Sequence, residues 1–271
     1  SHIVFNVDLA NILLIIQLDI IDLQIVKNKS KKWLYLLGVF AFAYALVDHF
    51  LLQKIPKIYP DFGVSIPSGY TVHGIDVSKY QKDIDWKLVS AMRDKGAKLD
   101  FAIIKATEGV NLMDKCYKYN WKGCKENGLI RGAYHYFHPN QDGKKQAEYF
   151  IKNTCIEGGD LAPVVDVEET NGVKNETLKT RLKDCLHTLQ DKYNCKPIIY
   201  CNVDFYRAHL APDFDNYPLW GAHYYVNKPD INRDWTIWQH NDRGHVNGID
   251  ANVDFNTING TLMNLKSLCV D

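Results

Sequence analysis

The feature that most constrains the fold of this 271-residue chain is an alternation of apolar runs and helical patterns that begins at residue 70. Short runs rich in Val, Ile, Tyr and Phe are typical of buried strands, and amphipathic stretches separate them. The predicted strands are 70–77, 101–106, 130–137, 161–167, 197–201, 218–224, 235–239 and 245–255. The predicted helices are 86–96, 117–126, 144–153 and 176–192, with a short segment at 203–210. Apolar strands joined by helices predict a parallel sheet covered on both faces.

The last third of the chain breaks this rhythm, because its strands follow one another with no room for long helices between them. About eight strands over residues 70–271 predict a closed barrel near the lower size limit of its class. We therefore expect an α/β fold, an irregular (β/α)8-type, TIM-like barrel with helices missing in the last third. A doubly wound open sheet is the alternative. It usually carries a glycine-rich phosphate loop after its first strand, and the sequence GIDVSKY at 74–80 is not such a loop.

The first 69 residues differ in character from the barrel region. A basic cluster, KNKSKK at 27–32, precedes fifteen uncharged residues from Trp33 to Val47. This pattern predicts an N-terminal hydrophobic helix over 31–53, as a transmembrane or signal-anchor segment, with a buried amphipathic helix as the alternative. The basic flank predicts a barrel outside the cytoplasm, membrane-anchored or secreted after signal cleavage. Residues 54–69, with three Pro and two Gly, predict a linker, and residues 1–30 are assigned no role.

Composition argues against some classes of function. Lys and Arg together number 32, as do Asp and Glu, so the chain lacks the basic excess of a nucleic-acid-binding protein. The seven cysteines form no C-x-x-C and no Cys/His cluster with zinc spacing, so no metal site is predicted. The 16 Tyr and 6 Trp mildly favour a carbohydrate site, because aromatic rings stack on sugars.

Acidic residues fall at the ends of several predicted strands. Asp76 ends the first, Asp166 and Glu168 end the fourth, and Asp254 belongs to the last. The carboxyl ends of the strands of a parallel barrel form one rim, so we expect these side chains to converge. Asp166 and Glu168 are two residues apart and share a face, whereas Glu169 points the other way. Two carboxylates this close repel each other, which raises the pKa of one of them. Glycoside cleavage needs one protonated acid and one ionised carboxylate.

Eight blocks of sequence occur in a specific order between residues 73 and 256. They are HGIDVSKYQ (73–81), FAIIKATEG (101–109), RGAYHYF (131–137), APVVDVEE (162–169), IIYCN (198–202), PLWGAHY (218–224), TIWQHN (236–241) and VDFN (253–256). Together with Asp85-Trp86, these blocks resemble glycoside hydrolase family 25, the N-acetylmuramidase type of lysozyme. The resemblance covers essentially all of 70–271. It implies an irregular barrel short of helices near its end, in agreement with the pattern of strands and helices.

The resemblance also implies an activity and a set of site residues. The family breaks the β-1,4 bond between N-acetylmuramic acid and N-acetylglucosamine in peptidoglycan, without metal or cofactor. Glu168 is expected to be the catalytic acid, and the supporting carboxylates are expected to be Asp166, Asp76 and Asp254. The resemblance leaves open whether an enzyme carboxylate or the substrate's own N-acetyl oxygen assists at the anomeric carbon; in the second case Asp166 would orient that amide.

Peptidoglycan glycan strands are the expected partner, and the enzyme is expected to be a monomer. Sugar contact, with core packing as the alternative, is expected of Tyr136, Tyr200, Trp220 and Trp238. Glu108 is expected to help build the rim, with substrate contact as the alternative. His135 and His138 are expected to form ordinary hydrogen bonds rather than to bind a metal.

Two other functions compete with this interpretation. A glycosidase acting on chitin-like polymers would carry the D-x-x-D-x-D-x-E pattern of family 18 chitinases, but Leu161 and Val164 occupy two of its Asp positions. A catalytically silent barrel that only binds cell wall would be expected to lose its acid, and Glu168 is present with its three Asp partners.

Overall fold

The computed structural model describes residues 29–50 and 56–271 and divides the chain into two units, Ser1–Ile55 and Pro56–Asp271. The described part of the first unit is a helix, Lys29–Phe50. No helix in the described part of the chain is long and apolar enough to cross a membrane. The uncharged run within Lys29–Phe50 has fifteen residues, or about 22 Å, against about 30 Å for a bilayer core. The predicted transmembrane segment is therefore not supported, and the interpretation of residues 1–28 lies outside the described residues.

The second unit is built around a barrel. Its strands are β1 (Lys57–Tyr59), β2 (Val64–Ile66), β3 (His73–Val77), β4 (Leu99–Glu108), β5 (Leu112–Met113), β6 (Ile130–Tyr136), β7 (Val164–Asp166), β8 (Ile198–Asn202), β9 (Leu219–Ala222), β10 (Ile237–Val246) and β11 (Ile249–Ile258). Eight of these close the barrel in the order β3-β11-β10-β9-β8-β7-β6-β4, and β4 pairs back with β3. Each of the eight overlaps one of the predicted strands.

The direction of β11 corrects the predicted (β/α)8 description. Neighbouring strands from β3 through β4 to β10 are parallel, but β11 runs antiparallel to both β10 and β3. Only Asn247 and Gly248 separate β10 from β11, and Gly248 adopts a φ of 95°. So short a connection reverses the chain as a hairpin, whereas a parallel crossover needs a dozen residues or more. The fold is therefore a mixed α/β structure around a closed eight-stranded barrel.

Helices connect the parallel strands. They are Trp86–Ala91, Tyr117–Glu126, Gly143–Asn153, Asn175–Tyr193 and Val203–Phe205, with Leu262–Lys266 after the barrel. Carboxylates cap two of them: Asp85 accepts hydrogen bonds at the start of Trp86–Ala91, and Asp142 does so for Gly143–Asn153. Trp86–Ala91 is shorter than predicted, because the backbone turns extended at Met92.

The interval predicted as a linker, 54–69, contains a hairpin instead. β1 and β2 pair antiparallel, and Phe62, Val64 and Ile66 are buried in the core. The Phe62 ring meets the Phe255 ring edge-on at 5.2 Å. The three Pro and two Gly of this interval are typical of a linker. The apolar side chains between them nevertheless form an apolar surface that packs against the core.

The barrel interior is apolar at one end and polar at the other. Because side chains of a strand alternate between its two faces, residues two apart point to the same side. Towards the start of the parallel strands, the buried cluster includes Phe101, Ile103, Val164, Ile198 and Ile237. Gly74 makes room there, since a Cβ at this position would lie 2.5 Å from the Phe101 ring. The same faces carry polar groups at the opposite end, which positions the site.

Candidate active site

A cavity of about 290 Å³ opens at the carboxyl ends of the parallel strands. All four sequence-predicted carboxylates line it: Asp76, Asp166, Glu168 and Asp254. Tyr136, Tyr200 and Trp220, of which sugar contact is expected, also line the cavity. Four further aromatic or charged residues that the sequence did not predict for the site also line the cavity: Tyr80, Lys105, Tyr134 and Tyr224. The amide residue Gln239 lines it as well.

Asp76 and Asp254 meet through strand register rather than through strand ends. Asp254 lies directly opposite Asp76 in the antiparallel pair of β11 and β3. Asp76 is buried, and its Oδ2 accepts hydrogen bonds from Gln239 Nε2 at 2.8 Å and Asn256 Nδ2 at 2.7 Å. Burial raises the pKa of Asp76 well above its usual value, and the charge of Asp254 adds to this despite the two amide donors.

Asp254 is less deeply buried than Asp76. Its desolvation, with the nearby charges of Asp242 and Glu168, raises the pKa of Asp254 from 3.8 to about 6. The two acids of this pair therefore differ in how they are held: Asp76 has two amide donors, while Asp254 faces other carboxylates. Because like charges repel, the ionised form of Asp254 makes ionisation of Asp76 less favourable.

Asp166 and Glu168 form the second pair. β7 ends at Asp166, so Glu168 lies on the turn that follows and is exposed at the cavity mouth. Asp166 is 5% exposed, and its Oδ1 is buried without a hydrogen-bond partner among the described residues. Desolvation raises the pKa of Asp166 well above the usual value, and the adjacent Glu168 raises it further. Desolvation also raises the pKa of Glu168, although Asp166 and Lys105 oppose it.

Lys105 supplies a cation beside these acids. Its Nζ lies 2.7 Å from Glu108 Oε2 and 4.7 Å from the centre of the Tyr136 ring. Within the apolar block FAIIKA, a single lysine on a buried strand was the available sequence signal, because a lysine is rarely buried without a partner. Glu108 thus helps to build the rim as predicted, by pairing with Lys105 rather than by lining the cavity.

The aromatic wall is tied to the carboxylates through two amide side chains. Tyr200 Oη donates to Gln239 Oε1 at 2.7 Å, and Trp220 Nε1 donates to Asn256 Oδ1 at 2.7 Å. The amide nitrogens of Gln239 and Asn256 in turn donate hydrogen bonds to Asp76. Both amides stand within sequence blocks quoted above, TIWQHN and VDFN, and their even spacing from inward-facing residues was the signal that could have identified them.

Trp238 does not line the cavity, which corrects the expectation of sugar contact at this position. It is fully buried, its Nε1 donates to the His223 carbonyl at 2.8 Å, and its ring packs against Tyr70 and Trp235. The physical reason is strand alternation: Gln239 faces the cavity, so its neighbour Trp238 faces the opposite side. Core packing, the alternative interpretation, describes Trp238.

The two histidines near this end form hydrogen bonds. His135 is buried, with Nδ1 at 2.7 Å from Thr107 Oγ1 and Nε2 at 3.2 Å from Gln146 Oε1. His138 lies between Glu108 and Asn171. In the described part of the chain, no cluster of three or more His, Cys, Asp or Glu residues has the geometry to hold a metal ion.

Comparisons with known proteins agree with this geometry. The sequence model of Glycosyl hydrolases family 25 matches residues 75–249. The uncharacterized protein YegX of Escherichia coli K12 is 46% identical over 207 residues, which are 76% of each chain. Lysozyme M1 of Streptomyces globisporus is 32% identical over 213 residues, covering 73% of this chain and 71% of that protein.

Solved structures give the same picture. The bacterial lysozyme from Streptomyces coelicolor aligns with a TM-score of 0.68 and 30% identity, covering 74% of this chain and 98% of that chain. A family 25 glycosyl hydrolase from Bacillus anthracis aligns with a TM-score of 0.68 and 31% identity, covering 74% of this chain and 94% of that chain.

Proposed function

This chain belongs to glycoside hydrolase family 25 and is a glycoside hydrolase of the muramidase type, and from that premise we propose that it cleaves the β-1,4 bond between N-acetylmuramic acid and N-acetylglucosamine in peptidoglycan. The observation that carries the proposal is the convergence of Asp76, Asp166, Glu168 and Asp254 on one cavity. Raised pKa values in such a group supply the protonated and ionised carboxyl groups that glycoside cleavage requires.

Glu168 is the proposed general acid. Its side chain is exposed at the mouth, where the oxygen of a leaving sugar can approach it, and its raised pKa keeps it protonated further towards neutral pH. The proton passes from Glu168 to the glycosidic oxygen as the bond to the anomeric carbon breaks. Asp76 and Asp254, deeper in the cavity, are the proposed stabilisers of the positive charge that develops at that carbon.

Asp166 is the proposed partner of the substrate's N-acetyl group. Its buried Oδ1 lacks a partner among the described residues, and an amide N–H from the sugar would supply one. Such a hydrogen bond favours the ionised form of Asp166 and offsets the penalty of burial. The N-acetyl oxygen, oriented in this way, would then bond to the anomeric carbon as the glycosidic bond breaks. A water molecule, giving its proton to the ionised Glu168, would displace that oxygen and complete the hydrolysis. Peptidoglycan stripped of its N-acetyl groups should therefore resist the enzyme.

The proposed sugar contacts are Tyr136, Tyr200 and Trp220, which line the cavity. Since the substrate lies in the cell envelope, the barrel is proposed to act outside the cytoplasm, on glycan strands and as a monomer. Fractionating cells that express the full chain tests the location, and light scattering on the purified protein tests the oligomeric state.

The deciding experiment is digestion of purified peptidoglycan, followed by borohydride reduction and mass spectrometry of the fragments. New reducing ends of N-acetylmuramic acid are the expected result. New N-acetylglucosamine ends or cut peptides would overturn the proposal. Binding to peptidoglycan with no cleavage would favour a silent wall-binding barrel, and release of sugars from chitin alone would favour a different polymer.

A further inference from the structure

A chain of polar side chains lies beside the cavity and has no part in the mechanism above. It starts at the Lys105 ammonium, which binds one oxygen of Glu108. The other Glu108 oxygen lies 3.2 Å from His138 Nε2, and His138 Nδ1 lies 3.3 Å from Asn171 Oδ1. Asn171 Nδ2 then donates to Glu169 Oε2 at 2.9 Å. The chain thus connects the end of β4 with the turn that carries Glu168.

The contacts of His138 define its protonation state. Nε2 faces a carboxylate oxygen, so it must carry a hydrogen to bond there. Nδ1 faces the oxygen of Asn171, because the Asn171 nitrogen is committed to Glu169. A neutral imidazole has one N–H and cannot donate in both directions, whereas an imidazolium donates from both nitrogens. Both hydrogen bonds form together only when the His138 ring is charged.

The His138 backbone is held in place independently of the ring. Its N–H donates to Gln146 Oε1 at 2.8 Å, and its carbonyl accepts from Gln146 Nε2 at 3.0 Å. Gln146 is fully buried on the helix Gly143–Asn153. The ring therefore projects from a fixed anchor towards a turn that contains Asn171 and Gly172 in left-handed conformations. The side chain of His138, not its backbone, is what joins this turn to β4.

We propose that His138 is a positioning residue: as an imidazolium it joins Glu108 to Asn171 and so fixes the turn that carries the catalytic acid Glu168. The proposal rests on the function proposed above. Loss of the ring proton removes one of the two hydrogen bonds and releases the turn. Histidine side chains exchange this proton between pH 5 and 8, so catalysis should weaken on the alkaline side of that range.

Several titratable groups surround the His138 ring. Glu108 faces it from the end of β4, the Tyr136 ring lies 5.4 Å away at the end of β6, and Glu169 is connected to it through Asn171. Lys105 is the nearby cation, whereas burial lowers the pKa of His135 to about 4 and leaves that ring neutral above pH 5. Partial burial raises the pKa of Glu108, but the hydrogen bonds and charges of Lys105 and His138 outweigh it and the net shift is downward. Glu108 is thus an ionised acceptor throughout the pH range in which histidine side chains exchange a proton.

Nuclear magnetic resonance of the ring nitrogens tests the inference without relying on catalysis. At pH 5 both nitrogens of His138 should carry protons, and the backbone amide signals of Glu168 and Asn171 should move with the same midpoint as the ring. Asn171→Asp should raise this midpoint and Asn171→Leu should lower it. The inference would be overturned if His138 carried a single ring proton from pH 5 upwards. It would also be overturned if the amide signals of Glu168 and Asn171 did not change with pH at the midpoint of the ring. Either result would count even if the enzyme cleaves peptidoglycan.

Kinetics of His138→Gln supply the second readout. The value of kcat should fall about tenfold at pH 5, because glutamine has a single donor nitrogen and cannot replace two ring nitrogens that face different residues. At pH 8, the upper limit of the range in which histidine side chains exchange this proton, the two enzymes should agree within about twofold. His187→Gln, at an exposed histidine of the helix Asn175–Tyr193, is the matched control and should follow wild type throughout. An equal loss at both pH values would make His138 merely structural and refute its role as a charged link.

Discussion

The barrel places its two pairs of acids in different ways. On the parallel side, β7 ends at Asp166 and leaves Glu168 exposed on a turn. On the antiparallel side, Asp254 lies within β11, directly opposite Asp76. One pair is defined by where a strand stops, and the other by the register of two strands.

The two pairs of acids therefore differ in how firmly the backbone holds them. Side chains within a ladder are held by backbone hydrogen bonds on both sides, and Asp76 is further held by Gln239 and Asn256. Glu168 has no such frame and depends on its turn, which suits an acid that must reach a leaving oxygen. Changes on the turn should therefore affect proton transfer, whereas changes in the ladder should affect both the fixed charge and the stability of the barrel.

The largest effect is expected for Glu168→Gln. Removing a general acid costs about 10²–10⁴-fold in rate, so kcat on peptidoglycan should fall by about three orders of magnitude. The thermal midpoint should stay near wild type, because the side chain is exposed. Glu126→Gln, at an exposed glutamate on a distant helix, is the control. Near-normal turnover by Glu168→Gln would show that the acid lies elsewhere.

A smaller loss is expected for Gln239→Leu on the antiparallel side. This change removes one of two donors to Asp76 and strips Tyr200 and Tyr224 of their shared acceptor. A hydrogen bond to a charged group is worth about 1.5–3 kcal/mol, so turnover should fall about 10–100-fold. Steady-state kinetics measure it, and Asn256→Leu should behave alike. If both variants turn over normally, the amides do not support the reaction.

The pH dependence of stability tests Asp254. Its pKa of about 6 lies above the usual 3.8, so the folded state binds a proton more tightly than the unfolded state does. The stabilising contribution is complete below pH 4 and is lost as the pH rises through 6. Asp254→Asn imitates the protonated form, so it should exceed wild type by about 2 kcal/mol at pH 8 and match it at pH 4. Urea unfolding at the two pH values measures this; an equal difference at both would contradict the prediction.

The smallest effect on catalysis is expected for Trp238→Phe. The substitution removes the hydrogen bond to the His223 carbonyl on the outer side of the barrel, at a cost in stability of about 1–2 kcal/mol. KM should not change. Trp220→Phe is the matched variant on the cavity side. It removes the hydrogen bond that the Trp220 indole donates to Asn256, and it should raise KM. If Trp238→Phe raised KM and Trp220→Phe did not, Trp238 rather than Trp220 would be identified as a substrate contact.

Most of the barrel could be predicted because its buried strands are continuous apolar runs, which mark their own positions in the sequence. The direction of β11 was missed, since period-two alternation is the same for a strand read either way. Asn247-Gly248 lies within the predicted strand 245–255, although this dipeptide is typical of a hairpin turn and marks the reversal between β10 and β11. The hairpin of β1 and β2 was missed because its Pro and Gly outweighed three buried apolar side chains.

The carboxylates of the site could be predicted because they follow recognisable strand ends and family-like blocks. Trp238 was misplaced because a one-residue difference in a strand exchanges the inside for the outside. The lysine within the apolar block FAIIKA is a signal for a functional Lys105, but the block does not identify Tyr136 as its neighbour. That contact depends on the register of β6 against β4, which a linear pattern does not encode.

The two amide donors to Asp76 both end on the same oxygen, Oδ2. The two oxygens of this carboxyl group are consequently not equivalent. A proton on Asp76 resides on Oδ1, since Oδ2 already accepts two hydrogen bonds. The barrel therefore presents Asp76 as an asymmetric group: one oxygen is held by two amide donors, and the other is the position from which a proton can be donated.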